Sequence, residues 1–316
     1  MVEPLSLEKI DEASRVVPAE FLHTPQYVDA ALSAALGRET VLKIETLNPL
    51  RSFKGRGAEY FMRGLDAGRH VVCASAGNFG QAIAYAACRR GIPSTVFSAR
   101  TANPVKVARM RELGADVVLD GDDFDRAKAR AVEHAAEQED RLFVEDGREP
   151  AISEGAGTIG VELAPLGLDT LLVPVGNGAL ITGIGTWLKA HSPGTRIVGV
   201  CAAGAPAMER SWRAGRAIDG DAAATFADGI AVRVPVPAAV EWMRDTVDDM
   251  LLVDDEQIGA ALRLVRDTVG LVLEPSAVVG VAAAMAQPFA GRIGTIVTGS
   301  NYPRELLAEL TASTRS

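Results

Sequence analysis
From residue 41 onward, short β-branched apolar runs alternate with stretches of helical period, and no repeat or low-complexity segment interrupts them. Parallel strands need a crossover of a dozen or more residues, which a helix supplies, so the alternation predicts a doubly wound α/β chain. A middle block reads as strand His70–Ala74, helix Phe79–Arg90 closed by Gly91, strand Thr95–Ser98, helix Pro104–Leu113 closed by Gly114, strand Asp116–Leu119 and helix Phe124–Gln138. A later block reads as strand Thr170–Val175, helix Leu180–Ala190, strand Arg196–Cys201, a less regular region through Arg233, and strand Met250–Val253. Asp254 and Gln257 have capping-box spacing for the next helix, after which strand Leu271–Leu273, helix Ser276–Ala286 and strand Ile293–Thr298 complete the pattern. The expected fold is α/β, with two doubly wound units, mostly parallel sheets, and a ligand cleft at the carboxyl ends of the strands.

The 316 residues suffice for a sizeable core. With 32 Lys+Arg against 41 Asp+Glu, the net charge is −9 and no basic run stands out, which argues against nucleic acid and anionic membrane as partners. The opening MVEPLSLEKIDEASR is too polar for a signal peptide, and the apolar stretch near the end is broken by Glu274 and Pro275, so a soluble cytoplasmic protein is expected. Cys73, Cys88 and Cys201 lie in apolar surroundings and form no Cys-x-x-Cys pair, which suggests reduced core thiols. His23, His70, His134 and His191 are far apart and show no metal-ligand spacing.

Four strand-end turns could carry chemistry. In the first, Asn48–Ala58, Lys54 lies among glycines and an aromatic where a strand gives way to a helix; the positive end of the helix dipole favours the free amine that Schiff-base chemistry needs. The alternative is a solvated surface lysine. The second turn, Ser75-Ala76-Gly77-Asn78-Phe79-Gly80-Gln81, reads equally well as a carboxylate site with free amides and polar side chains or as an ordinary capped turn. In the third, Val175–Gly183, Gly176 and Gly178 allow backbone amides to approach an anion. A dinucleotide fingerprint would need glycine at Ile181, so this turn suits a monophosphate. The fourth, Val297-Thr298-Gly299-Ser300-Asn301, places hydroxyls at the same sheet edge and is weak in isolation.

Taken in order, SFKGRGA, SAGNFGQ, EGAGT, GNGALITG, ADGIAV, EPSA and TGSN resemble the threonine and serine dehydratases of the tryptophan synthase β-like, fold type II pyridoxal phosphate (PLP) enzymes. The resemblance implies a large domain from residues 1–66 and 147–316, a small domain from 67–146, PLP between them, and a homodimer. Lys54 would hold PLP as a Schiff base, with Phe53 against the pyridine ring and Asn78 on the ring hydroxyl. The amides of Gly176, Asn177, Gly178, Ala179 and Leu180 would cradle the phosphate. Gly229 would line the cofactor, Glu274 belongs to the same set, and Thr298 would face the ring nitrogen. Ser75, Ala76, Gly77, Asn78 and Gln81 would bind the substrate carboxylate. The activity implied is elimination of the β-hydroxyl of a small amino acid such as threonine or serine, giving a 2-oxo acid and ammonia.

Three departures qualify the likeness. Phe79 stands where the family often has His, and Glu145-Asp146-Gly147-Arg148 replaces a His-Pro stretch near the substrate, so aromatic and acidic side chains remain open. Ala203 stands where metal-stimulated relatives carry Glu, so no divalent cation is expected. With only the tail Tyr302–Ser316 after the last motif, the regulatory domain of feedback-inhibited relatives is not expected. Within PLP chemistry, β-replacement is the alternative. Racemisation is disfavoured because the serine that serves the second face of Cα in racemases corresponds here to Ala76. A nucleotide-binding oxidoreductase would leave Lys54 unexplained, and a non-catalytic PLP carrier would leave the carboxylate turn without purpose.

Overall fold
In a computed structural model, residues 2–303, 305 and 309 are described. Among the described residues ten strands form two sheets. The strands are β1 (Gln26–Val28), β2 (Thr40–Ile44), β3 (His70–Ala74), β4 (Ser94–Ser98), β5 (Asp116–Leu119), β6 (Arg141–Val144), β7 (Thr170–Pro174), β8 (Arg196–Ala202), β9 (Asp249–Val253) and β10 (Ile293–Val297). The larger sheet has the order β1-β2-β10-β7-β8-β9, and the smaller β5-β4-β3-β6. Only β1 runs antiparallel, registering Tyr27 against Leu42. All other pairings are parallel.

The larger sheet is buried on both faces, which is why its central strands are apolar without alternation. Along β7, Leu171 and Val173 pack with the helices Pro150–Leu163, Ala179–His191 and Pro237–Thr246. Leu172, one residue out of phase, packs on the other side with Ala30–Leu36, Asp255–Val269 and Val279–Ala286. Leu172→Ala would therefore cost about 2–5 kcal/mol. The smaller sheet buries Val71 and Cys73 against the helix Asn78–Cys88, and Val72 and Phe97 against Phe124–Ala136.

Most expected elements lie where the periodicity put them, and Asp254 with Gln257 forms the capping box at the start of Asp255–Val269. Four details differ. Leu271–Leu273 is not a strand, because β10 takes the place between β2 and β7 and the segment instead brings the Glu274 amide to the Gly299 carbonyl. The helix expected over Ser276–Ala286 begins as a 3-10 turn, Pro275–Val278. β1 and β6 escape the pattern because each is short and only partly buried. Cys88 is exposed, whereas Cys73 and Cys201 are core thiols that burial pushes up to about 12.

Five parallel strands, β2, β3, β6, β7 and β10, end at one cleft. Each strand hands its following turn to the site, as doubly wound sheets do.

Candidate active site
The cleft between the two sheets holds about 500 Å³, ample for a cofactor with a small substrate. All the residues named above for cofactor and carboxylate binding line it except Gln81, which is buried within the helix Asn78–Cys88.

Lys54 starts the helix Lys54–Arg63. Asn48 shapes the approach: its Oδ1 accepts from the Leu50 amide at 3.0 Å, and its Nδ2 donates to the carbonyls of Glu45 at 2.9 Å and Ser52 at 3.1 Å. Ser52 Oγ then accepts from the Lys54 amide at 3.2 Å. The Lys54 ammonium stands 4.6 Å from the Phe53 ring centroid and 6.0 Å from that of Phe79. It donates to Asp146 Oδ2 at 2.5 Å, so an anion faces the amine as well as the helix dipole. The other Asp146 oxygen is buried without a hydrogen-bond partner.

Opposite, the helix Ala179–His191 begins without any side-chain cap, its N-terminal amides facing the cleft. Gly178 precedes it with φ 95°, a conformation that glycine adopts without strain, and a Cβ there would stand 2.9 Å from that of Ala239. A side chain on Gly147 would collide with the Asn177 carbonyl at 2.2 Å, so the turn after β6 rests directly on this one. An uncapped helix start with no side chain above it has the donors and the room for a phosphate.

At the third side, Ser75 Oγ accepts from the amides of Gly77 at 3.1 Å and Gly80 at 2.9 Å, so the turn is capped as well as facing the cleft. Asn78 Nδ2 donates to Glu274 Oε1 at 2.7 Å, and its Oδ1 accepts from Asn301 Nδ2 at 2.9 Å. Glu274 also accepts from Ser276 Oγ at 3.2 Å and the Asn301 amide at 3.1 Å. Burial pushes its carboxyl up to about 7, against the pull of Lys106. Gly299 permits this network, since a Cβ there would come within 2.2 Å of Glu274 Oε1.

A family model for pyridoxal-phosphate dependent enzymes matches residues 22–299. The chain belongs to that family. It is 35% identical over 304 residues to an L-threonine ammonia-lyase of Thermotoga maritima, covering 94% of this chain and 76% of that one. The processed threonine deaminase isoform 2 of Solanum lycopersicum superposes with a TM-score of 0.88 at 29% identity, covering 100% of this chain and 96% of the other. Maize serine racemase also gives 0.88, at 27% identity and coverages of 99% and 98%. The fold is that of the fold type II PLP enzymes.

In this PLP enzyme further charged residues line the cleft, among them Asp146 and Lys106. The departure at Glu145–Arg148 marks the first neighbourhood without saying which side chain turns inward. Arg148 is exposed and outside the cleft wall, which removes it as a reason to expect acidic substrates. Nothing in the spacing marks Lys106, which is buried, pairs with Asp228, and lies 3.8 Å from where a Cβ on Gly77 would stand. Ala203 is exposed; among the described residues no His, Cys, Asp or Glu group is arranged for a metal ion. No described helix is long and apolar enough to cross a membrane.

Proposed function
We propose that the chain is a PLP-dependent ammonia-lyase that removes the β-hydroxyl of a small L-amino acid, threonine or serine, to give a 2-oxo acid and ammonia. The observation that carries this reading is the convergence of Lys54, the uncapped glycine turn at Gly178 and the Ser75–Asn78 turn on one cleft of cofactor-plus-substrate size. The ammonia-lyase name of the Thermotoga maritima relative supports it.

Lys54 would hold the cofactor and later remove the Cα proton. Amides 176–180 would hold its phosphate, Phe53 and Gly229 would bound it, and Asn78, kept in place by Glu274 and Asn301, would meet its ring hydroxyl. Thr298 would face its ring nitrogen. Bound there, PLP supplies an electron sink for the Cα–H bond, and a hydroxyl at Thr298 in place of a carboxylate makes that sink a weak one. Prompt loss of the β-substituent is then favoured over reprotonation. The amides and side chains of Ser75–Asn78 would orient the substrate carboxylate. Ala76 offers no proton to the opposite face of Cα, which disfavours racemisation.

The same reading expects a large domain from 1–66 and 147–316, a small domain from 67–146, and a cytoplasmic homodimer. Sedimentation of the purified protein tests the dimer. The activity is tested by measuring oxo acid and ammonia release from serine, threonine, hydroxyaspartate and phenylserine. Release of both from serine or threonine is the expected result; product only with an added nucleophile would favour β-replacement.

A further inference from the structure
We propose that Asp146 makes this cleft a site for amino acids with a cationic β-substituent, a β-ammonium group, beside the β-hydroxy acids. The proposal rests on the β-elimination reading and adds the identity of a second leaving group.

Asp146 lines the cleft with its side chain 9% exposed. One oxygen accepts from Lys54 and the other, buried, accepts from nothing. Lys54 is the amine this family commits to its cofactor, so its charge is not a permanent counterion. A carboxylate at that depth is costly unless a cation or donor meets it. The other cations of the cleft wall are engaged: Lys128 pairs with Glu145, Lys106 with Asp228, and Arg233 with Asp125. Arg148 is exposed, and Glu274 is bound to Asn78, Ser276 and Asn301. A ligand is left to supply the partner.

The charges are also placed in the right sense. Lys106 stands beside the Ser75–Asn78 turn, where a substrate carboxylate would lie, and Asp146 stands beside Lys54, where the Cα proton leaves. A β-hydroxyl departs as water only if it gains a proton. A β-ammonium needs none. Lys54 takes the Cα proton, the C–H electron pair becomes the Cα–Cβ double bond, and the Cβ–N pair leaves on nitrogen as neutral ammonia. Water then converts the remaining enamine to a 2-oxo acid and a second ammonia.

L-2,3-diaminopropionate differs from L-serine only in this group and serves as the probe. The wild-type holoenzyme should give one pyruvate and two ammonia per diaminopropionate, with kcat/KM no lower than for serine. Asp146→Asn should lower kcat/KM for diaminopropionate about 10- to 100-fold more than that for serine, the loss of a charge-assisted hydrogen bond to the substrate on top of any effect through Lys54. Binding is measured separately by calorimetry on a Lys54→Ala protein supplied with PLP, where diaminopropionate should bind more tightly than serine and lose that advantage on adding Asp146→Asn. Asp146→Ser repeats the comparison should the Asn variant fold poorly. Elimination from serine or threonine without any from diaminopropionate, or equal losses on both in the variants, would overturn the proposal. If no amino acid is eliminated the β-elimination reading falls, and the two dissociation constants still decide the role of Asp146.

Discussion
A single residue, Gly55, separates Lys54 from Arg56, and their side chains end in opposite surroundings. Arg56 is fully buried and saturated. It donates to Glu45 at 2.9 and 2.8 Å, to Glu162 at 2.6 Å, to Thr158 at 2.9 Å and to Thr24 at 3.2 Å. Lys43 closes the group through Glu162 and the Thr24 carbonyl. Burial opposes the Arg56 charge, yet Glu45 and Glu162 outweigh it and hold the guanidinium above its ordinary value. This cluster ties β2, the helix that Lys54 opens and the helix Pro150–Leu163 into one block. Lys54 and Asp146 form a pair with a face open to the cleft and an oxygen unmet. A complete charge cluster fixes architecture, and an incomplete one in a cleft is where a ligand completes the count.

The contrast can be broken most severely at Lys54. Lys54→Ala should lower turnover by at least about 10⁴-fold while leaving urea stability within about 0.5 kcal/mol. Borohydride reduction should fix the cofactor to Lys54, and labelling of Lys43 or Lys106 instead would refute the assignment. Arg56→Met should do the reverse, costing about 3–5 kcal/mol in urea unfolding by stranding Glu45 and Glu162, with catalysis per folded molecule largely kept.

Glu274 sharpens the comparison through pH. Its carboxyl is raised by burial from 4.5 to about 7, so it favours the folded state while protonated; that contribution is complete below pH 4.5 and is lost as pH rises through 7. Glu274→Gln should flatten a decline on the order of 3 kcal/mol across that window in urea titrations. Ala76→Ser should introduce slow D-serine formation that chiral chromatography does not find in the wild type. The smallest effect expected is that of chelators, which should leave the rate unchanged; a loss restored by magnesium or calcium would speak against the reading of Ala203.

The strand-helix alternation made the larger sheet legible because both its faces are buried and its strands are plain apolar runs. β1 and β6 lie at sheet edges, where partial burial leaves a weak pattern. The turns that carry Lys54, Asn78 and Gly178 could be read because glycine and a strand-to-helix change mark them locally. Lys106 could not, since its place depends on how the smaller sheet faces the larger one. Gln81 errs the other way: its amide follows the turn in sequence, but a residue three places into a helix has already rotated toward the core.

The smaller sheet enters through β3 and leaves through β6, and these are neighbours in the order β5-β4-β3-β6. Both connections to the rest of the chain therefore run side by side, one carrying Gly68 at φ 85° and the other Gly147 at φ 84°. Two adjacent tethers define an axle. One of these tethers holds Asp146, while Lys54 is anchored through its helix to the Arg56 block, so the bond between the two charges joins the exit of the smaller sheet to the frame of the larger one.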